Sequence, residues 1–66
     1  MLITINGQKK QVQGEATLEE VIKTFCKETD RVITELNGSI VKSPRRKDTR
    51  IQDGDVLELV TFMGGG

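Results

Sequence analysis

Apolar and polar residues alternate, cluster and alternate again along this chain, with a different period in each stretch. Leu2-Ile3-Thr4-Ile5 is a short run of strand-favouring residues that ends in Asn6-Gly7, a strong signal for a two-residue hairpin turn. Gln8 to Gln13 alternates weakly and is expected to return as a second strand. Its Lys9 and Lys10 suit a sheet edge, where charge discourages pairing with other sheets. Gly14 is expected to close this hairpin unit.

The period then changes to that of a helix. Leu18, Val21, Ile22 and Phe25 fall at i, i+3, i+4 and i+7, which puts them on one helical face. Thr17 and Glu20 are spaced as a capping box, so the helix is expected to begin after Thr17. Glu19 and Lys23 form an i,i+4 pair with the acid on the N-terminal side. The polar residues Lys27 to Thr29 suggest an end near Glu28 or Thr29.

Alternation resumes at Val32-Ile33-Thr34-Glu35-Leu36. Glu35 is best placed in solvent, so Val32, Thr34 and Leu36 should face a core and Ile33 should face outward with Glu35. Asn37-Gly38 is a second hairpin turn, followed by Ile40-Val41. The basic stretch from Lys42 to Arg50, with Ser43-Pro44-Arg45-Arg46-Lys47-Asp48 at its centre, reads as a loop. A loop of this kind is most often a solvated surface; a docking patch or a weak RNA contact is the alternative. Ile51 supplies an apolar anchor before the turn Asp53-Gly54-Asp55. The last strand, Val56 to Phe62, points Leu57 and Leu59 inward and Glu58, Val60 and Phe62 outward. One helix across one face of a small mixed sheet accommodates this order of elements, an α+β fold in two layers.

With 66 residues the chain makes a single small domain, and the ten basic and ten acidic residues cancel. That balance argues against a nucleic-acid or membrane-surface binder held by bulk charge. No apolar run approaches the roughly 20 residues needed to cross a bilayer, and nothing at the start reads as a signal peptide, so a cytoplasmic location is expected. There is no histidine, tryptophan or tyrosine, and a single cysteine. Ser-His-Asp and Cys-His catalysis, zinc sites built on histidine or paired cysteines, and most aromatic platforms for bases are thereby removed. Cys26, at the rim of the helical stripe, could be a thiol nucleophile or a persulfide carrier. With no activating neighbour in the sequence, a small core residue is the better reading.

The end of the sequence carries the clearest chemistry. An apolar strand runs through Phe62-Met63 into Gly64-Gly65-Gly66. Lacking Cβ atoms, such a tail can enter a channel no wider than a peptide and present the Gly66 carboxylate there. Fraying without function is the alternative at this point. Residues 1–63 are expected to fold and 64–66 to form a flexible tail. If the last strand lies beside Val32–Leu36, then Ile33, Val60 and Phe62 make an apolar group on the face away from the helix. With Met63 they would be placed to dock a partner.

Several segments together resemble a known family. Val32-Ile33-Thr34-Glu35-Leu36-Asn37-Gly38-Ser39-Ile40-Val41, Asp53-Gly54-Asp55-Val56-Leu57-Glu58-Leu59-Val60 and Gly64-Gly65-Gly66 are similar to the ThiS-type sulfur carrier proteins of thiamine biosynthesis. Ile3 to Gly7 and the Leu18-to-Phe25 helix fit the same pattern. The Asp-Gly-Asp turn also occurs in the small subunits of molybdopterin synthase. The short length, the Glu-Leu-Asn-Gly segment and the absence of Pro-Pro before the tail favour the thiazole branch. Thr34, at a usually apolar place, and the basic stretch around Arg45-Arg46-Lys47 depart from the pattern.

The resemblance implies a ubiquitin-like β-grasp fold and a protein that serves as substrate and carrier, not catalyst. A ThiF-type adenylyltransferase would use ATP and Mg to convert the Gly66 carboxylate to an acyl-adenylate. A cysteine desulfurase or another persulfide donor would then supply sulfur, leaving a thiocarboxylate for a thiazole synthase. No cofactor would be bound by the carrier itself. A ubiquitin-like protein modifier, a molybdopterin-type carrier and a small RNA-binding β-grasp module are the rival classes.

Overall fold

A computed structural model describes residues 1–61. Its elements are β1 (Leu2–Ile5), β2 (Gln8–Gln11), α1 (Leu18–Phe25), β3 (Val32–Leu36), β4 (Ser39–Ile40) and β5 (Val56–Thr61). Two short 3₁₀ helices, Thr29–Arg31 and Ser43–Asp48, complete the set. The five strands form one sheet in the order β2-β1-β5-β3-β4. β1 and β5 run parallel, and every other neighbouring pair is antiparallel. A mixed sheet with the last strand at its centre and one helix across one face is the ubiquitin-like β-grasp arrangement.

Local chemistry sets each corner. Asn6 and Gly7 have φ of 50° and 81°, and Asn37 and Gly38 have 52° and 87°. Two consecutive positive φ values are what a type I′ hairpin turn requires, and Asn-Gly is the pair that adopts them at least cost. Both asparagines also bond beyond their own hairpins. The Asn6 side chain donates to the Leu59 carbonyl at 3.2 Å and accepts from the Leu59 N–H at 2.8 Å. The Asn37 side chain accepts from the Val56 N–H at 2.9 Å and donates to Asp55 at 3.1 Å. The Asp-Gly-Asp turn ties the two parallel strands at their start. Asp53 accepts from the Leu2 N–H at 2.7 Å, the Gly54 N–H donates to the Leu2 carbonyl at 2.8 Å, and Asp55 accepts from the Gln52 N–H at 2.7 Å.

Between helix and sheet lies a core of Ile3, Ile5, Leu18, Val21, Ile22, Val32, Ile51 and Leu57, with Ala16 at its rim. The capping box is present in both directions. The Thr17 N–H donates to Glu20 at 2.8 Å, and the Glu20 N–H donates to the Thr17 hydroxyl at 3.2 Å. The bond from the Thr17 N–H, foremost, and a second from the Thr17 hydroxyl to the same carboxyl at 3.2 Å hold Glu20 below the usual carboxylate range.

Several boundaries differ from the sequence reading. α1 stops at Phe25, not near Glu28 or Thr29, and its cap residue Cys26 is already extended, donating its N–H to the Ile22 carbonyl at 2.8 Å. Phe25, expected on the buried stripe, is 40% exposed. Ile22 is the last helical side chain fully covered by the sheet, and beyond Phe25 the chain must turn back to enter β3. Polar Lys27 to Thr29 offers no apolar face that would reward another helical turn. β2 ends at Gln11, not Gln13, and β4 is Ser39–Ile40, one residue earlier than expected. The central strand is described as far as Thr61. The expected boundary at residues 63 and 64 lies outside the described residues.

The basic stretch departs most from expectation. Ser43–Asp48 is a 3₁₀ helix with Pro44 in its first turn, where a missing N–H leaves no bond unmade. Arg46 within it is only 7% exposed. Its Nη1 donates to the Thr29 carbonyl at 2.9 Å and its Nη2 to the Val32 carbonyl at 2.6 Å. Arg46 therefore joins three segments from inside, and the solvated loop that its composition suggests is in part a structural clasp.

Candidate functional site

β5 is the central strand of the sheet, parallel to β1 and antiparallel to β3, and in sequence it precedes the glycine tail. Its two sides are held differently. β1 pairs with it through Thr4–Val56 and Ile5–Leu57, and the Asn6 side chain carries that pairing on to Leu59. β3 pairs with it over five rungs, from Leu36–Leu57 to Val32–Thr61. The strand is thus supported as far as its last described residue, Thr61, at the middle of the sheet.

The side chains divide as alternation demands. Leu57 is buried and Leu59 is half-buried on the helix side, with Val32 and Thr34 beside them. On the opposite face Ile33 and Val60 are directly paired across β3 and β5, 45% and 52% exposed. Both had been expected on that face, as neighbours. Directly opposed residues on one face lie about 5 Å apart at Cβ, so these two form one continuous apolar surface. Val56 and Leu2 are also exposed on this side, and Ile40 on β4 stands opposite Glu35. Reading the strands one at a time does not reveal this breadth, because it arises from the order in which the sheet assembles them.

Phe62, Met63, Gly64, Gly65 and Gly66, the remaining residues singled out from the sequence, lie outside the described residues. Cys26 is half-buried against the core, free of any disulfide, and occupies the cap at the helix C-terminus. Among the described residues no group of three or more acidic, cysteine or histidine side chains is gathered to hold a metal ion. A shallow groove between β2 and α1, lined by Val12, Ala16, Val21 and Phe25 among others, contains no catalytic constellation. No described helix is long and apolar enough to cross a membrane.

Of the basic residues, Arg46 is withdrawn from any surface patch by its two buried carbonyl bonds. Sequence reasoning missed that role. The one available hint was Pro44, which marks the start of an ordered turn as readily as a loop. Thr34, the other departure from the family pattern, is 1% exposed and its hydroxyl has no hydrogen-bond partner among the described residues.

Comparison with known proteins bears on the same features. The model of the ThiS family matches residues 3–66. The sulfur carrier protein ThiS of Bacillus subtilis (strain 168) is 30% identical over 66 residues, covering 98% of this chain and all of that protein. A thiazole synthase of Paramagnetospirillum magneticum is 32% identical over 66 residues; the match takes in all of this chain but spans only 20% of the synthase. The crystal structure of the thiamine biosynthesis protein (ThiS) from Geobacter metallireducens superposes with a TM-score of 0.86 at 32% identity, with all of both chains covered. A β-grasp sheet with its last strand central, carried by a sequence that matches the family model almost end to end, makes this chain a member of the ThiS family.

Proposed function

We propose that this protein is a sulfur carrier for thiamine biosynthesis, with Gly66 as the chain terminus that bears the sulfur. The observation that carries the reading is the central position of β5. A strand held on both sides leads into Phe62-Met63-Gly64-Gly65-Gly66, so the body of the domain acts as a handle for a narrow, unbranched end. A carboxylate is unreactive toward sulfur nucleophiles because its oxygen is a poor leaving group, so activation has to precede transfer. The Gly66 carboxylate attacks the α-phosphorus of ATP on a ThiF-type adenylyltransferase, with Mg neutralising the phosphates, and pyrophosphate departs. The terminal sulfur of a persulfide, from a cysteine desulfurase or an equivalent donor, then attacks the acyl carbon and AMP departs. Cleavage of the sulfur–sulfur bond by a thiol leaves the thiocarboxylate, which a thiazole synthase consumes.

In this scheme the chain is substrate and carrier, and ATP and Mg belong to the partner enzyme. Each step requires an active site to reach the last carbonyl carbon, and glycine leaves no Cβ to obstruct entry. Ile33 and Val60, with Phe62 and Met63, form the docking surface that holds the body while the tail is threaded. This division of labour belongs in the cytoplasm, where the nucleotide and the persulfide donors are found.

The test uses the protein made together with the adenylyltransferase and sulfur donor of the same organism. Intact mass should show one oxygen replaced by sulfur. Removal of Gly65 and Gly66 should leave the fold unchanged and abolish ATP–pyrophosphate exchange. Continued exchange by the truncated protein would exclude Gly66 as the reactive end. Isopeptide-linked adducts in place of the thiocarboxylate would make the protein a modifier.

A further inference from the structure

The outward face of the sheet holds a charge arrangement that the fold itself does not need. Glu35 on β3 and Glu58 on β5 are directly opposed across the antiparallel pair. They lie on the same face as the Ile33–Val60 pair, two residues after Ile33 on β3 and two before Val60 on β5. Like charges facing one another in this way destabilise a sheet, whereas an opposite pair would stabilise it. Among the described residues neither carboxylate is ion-paired with a cation; the one ion pair found there joins Arg31 and Glu28. Lys9 shares the face, but it sits on the edge strand β2, separated from β5 by β1. Ile40, 66% exposed, stands on the other side of Glu35. Two carboxylates are therefore set side by side in an apolar frame of Ile33, Val60 and Ile40, on the neighbouring strands β3 and β5.

We propose that this face receives a protein surface that presents an arginine side chain between Glu35 and Glu58, with apolar residues seated on Ile33, Val60 and Ile40. The proposal rests on the docking surface assigned above and adds the chemistry of what binds it. Guanidinium suits the position because its planar fork of donors can serve two carboxylates at once. Docking would also remove the repulsion between the two glutamates. The free carrier would thus be less stable than its strand pairing allows, and the partner would relieve that cost. The carrier's overall charge is zero, so this local acidic pair, and not bulk attraction, would give the encounter its salt dependence.

The experiment measures stability and binding on the same variants, because the proposal requires them to move in opposite directions. Glu58→Lys creates an opposite-charge cross-strand pair with Glu35, and its urea midpoint should rise. Its affinity for the adenylyltransferase, measured by calorimetry, should fall about thirtyfold or more, as expected when a charge pair at an interface is reversed. Glu35→Gln with Glu58→Gln should weaken binding less and flatten its dependence on salt. Val60→Ala serves as the control for the docking face, with an expected loss of about tenfold.

If Glu58→Lys binds as tightly as the wild type while Val60→Ala binds weakly, the face docks the enzyme but no cation sits between the glutamates, and the proposal fails alone. If Val60→Ala also binds normally, the docking face itself is wrong. If sedimentation shows that the wild type dimerises and Glu58→Lys does not, a second copy of this chain is the occupant, which also overturns the proposal.

Discussion

Replacement of Arg46 by methionine separates two opposing contributions at a single buried side chain. The substitution keeps an unbranched apolar stem in the same space and removes the guanidinium. Two bonds are lost, those to the Thr29 and Val32 carbonyls at 2.9 and 2.6 Å. Hydrogen bonds from a charged group contribute about 1.5–3 kcal/mol each, and a carbonyl left buried without a donor adds to the loss. Against this stands the desolvation of the guanidinium, whose Nε is buried without a partner and which has no acidic partner among the described residues. Burying an ion costs several kcal/mol, so part of the gain is offset.

We expect the bonds to prevail, with a net loss of about 2–4 kcal/mol for Arg46→Met. A domain of this size has a total stability of roughly 3–10 kcal/mol, so the change should be large. Equilibrium urea unfolding followed by circular dichroism should show a lower midpoint at unchanged slope. The melting temperature should fall by about 10–25 °C, at 4–8 °C per kcal/mol for small domains. Arg46→Lys should recover part of the loss, because an ammonium group can reach one carbonyl but cannot span both as a planar fork does. If Arg46→Met proved as stable as the wild type, the desolvation cost would equal everything the two bonds contribute, and the clasp would have no net value.

Two further outcomes follow from groups on the same helix face of the sheet and at the helix cap. Thr34→Val replaces a buried hydroxyl that has no partner among the described residues by an isosteric methyl, and should stabilise the fold by about 1 kcal/mol in the same urea assay; destabilisation would mean that the hydroxyl is bonded after all. Glu20 has its carboxyl pKa depressed in the folded state, so its contribution is present above the ordinary value of 4.5 and is lost as pH falls through the folded value. The stability gap between wild type and Glu20→Gln should therefore be widest near neutrality and close in acid, and a gap independent of pH would remove the cap carboxylate as its source.

Where local chemistry is self-sufficient, the chain announces its structure in advance. Asn6-Gly7 and Asn37-Gly38 specify tight hairpins because few other pairs adopt two positive φ angles cheaply. Thr17 and Glu20 cap the helix through bonds spanning three residues, and Val32 to Leu36 reveals its buried side by simple alternation. The glycine tail and the absence of histidine are legible in composition alone, and the resemblance of these segments to ThiS-type proteins, which implies the carrier chemistry, needs no knowledge of packing.

The remaining features depend on which segments the fold brings together. The helix ends at Phe25 because no helical side chain beyond Ile22 is fully buried against the sheet, a limit set by the sheet's size and not by helix propensity. Arg46 reads as a surface cation until the first 3₁₀ helix and the start of β3 place two carbonyls against it. Glu35 and Glu58 lie 23 positions apart in sequence and become neighbours only through the register of β3 on β5. Periodicity assigns a residue to a face, but the residues that share that face are chosen by strand order, which long-range pairing alone decides.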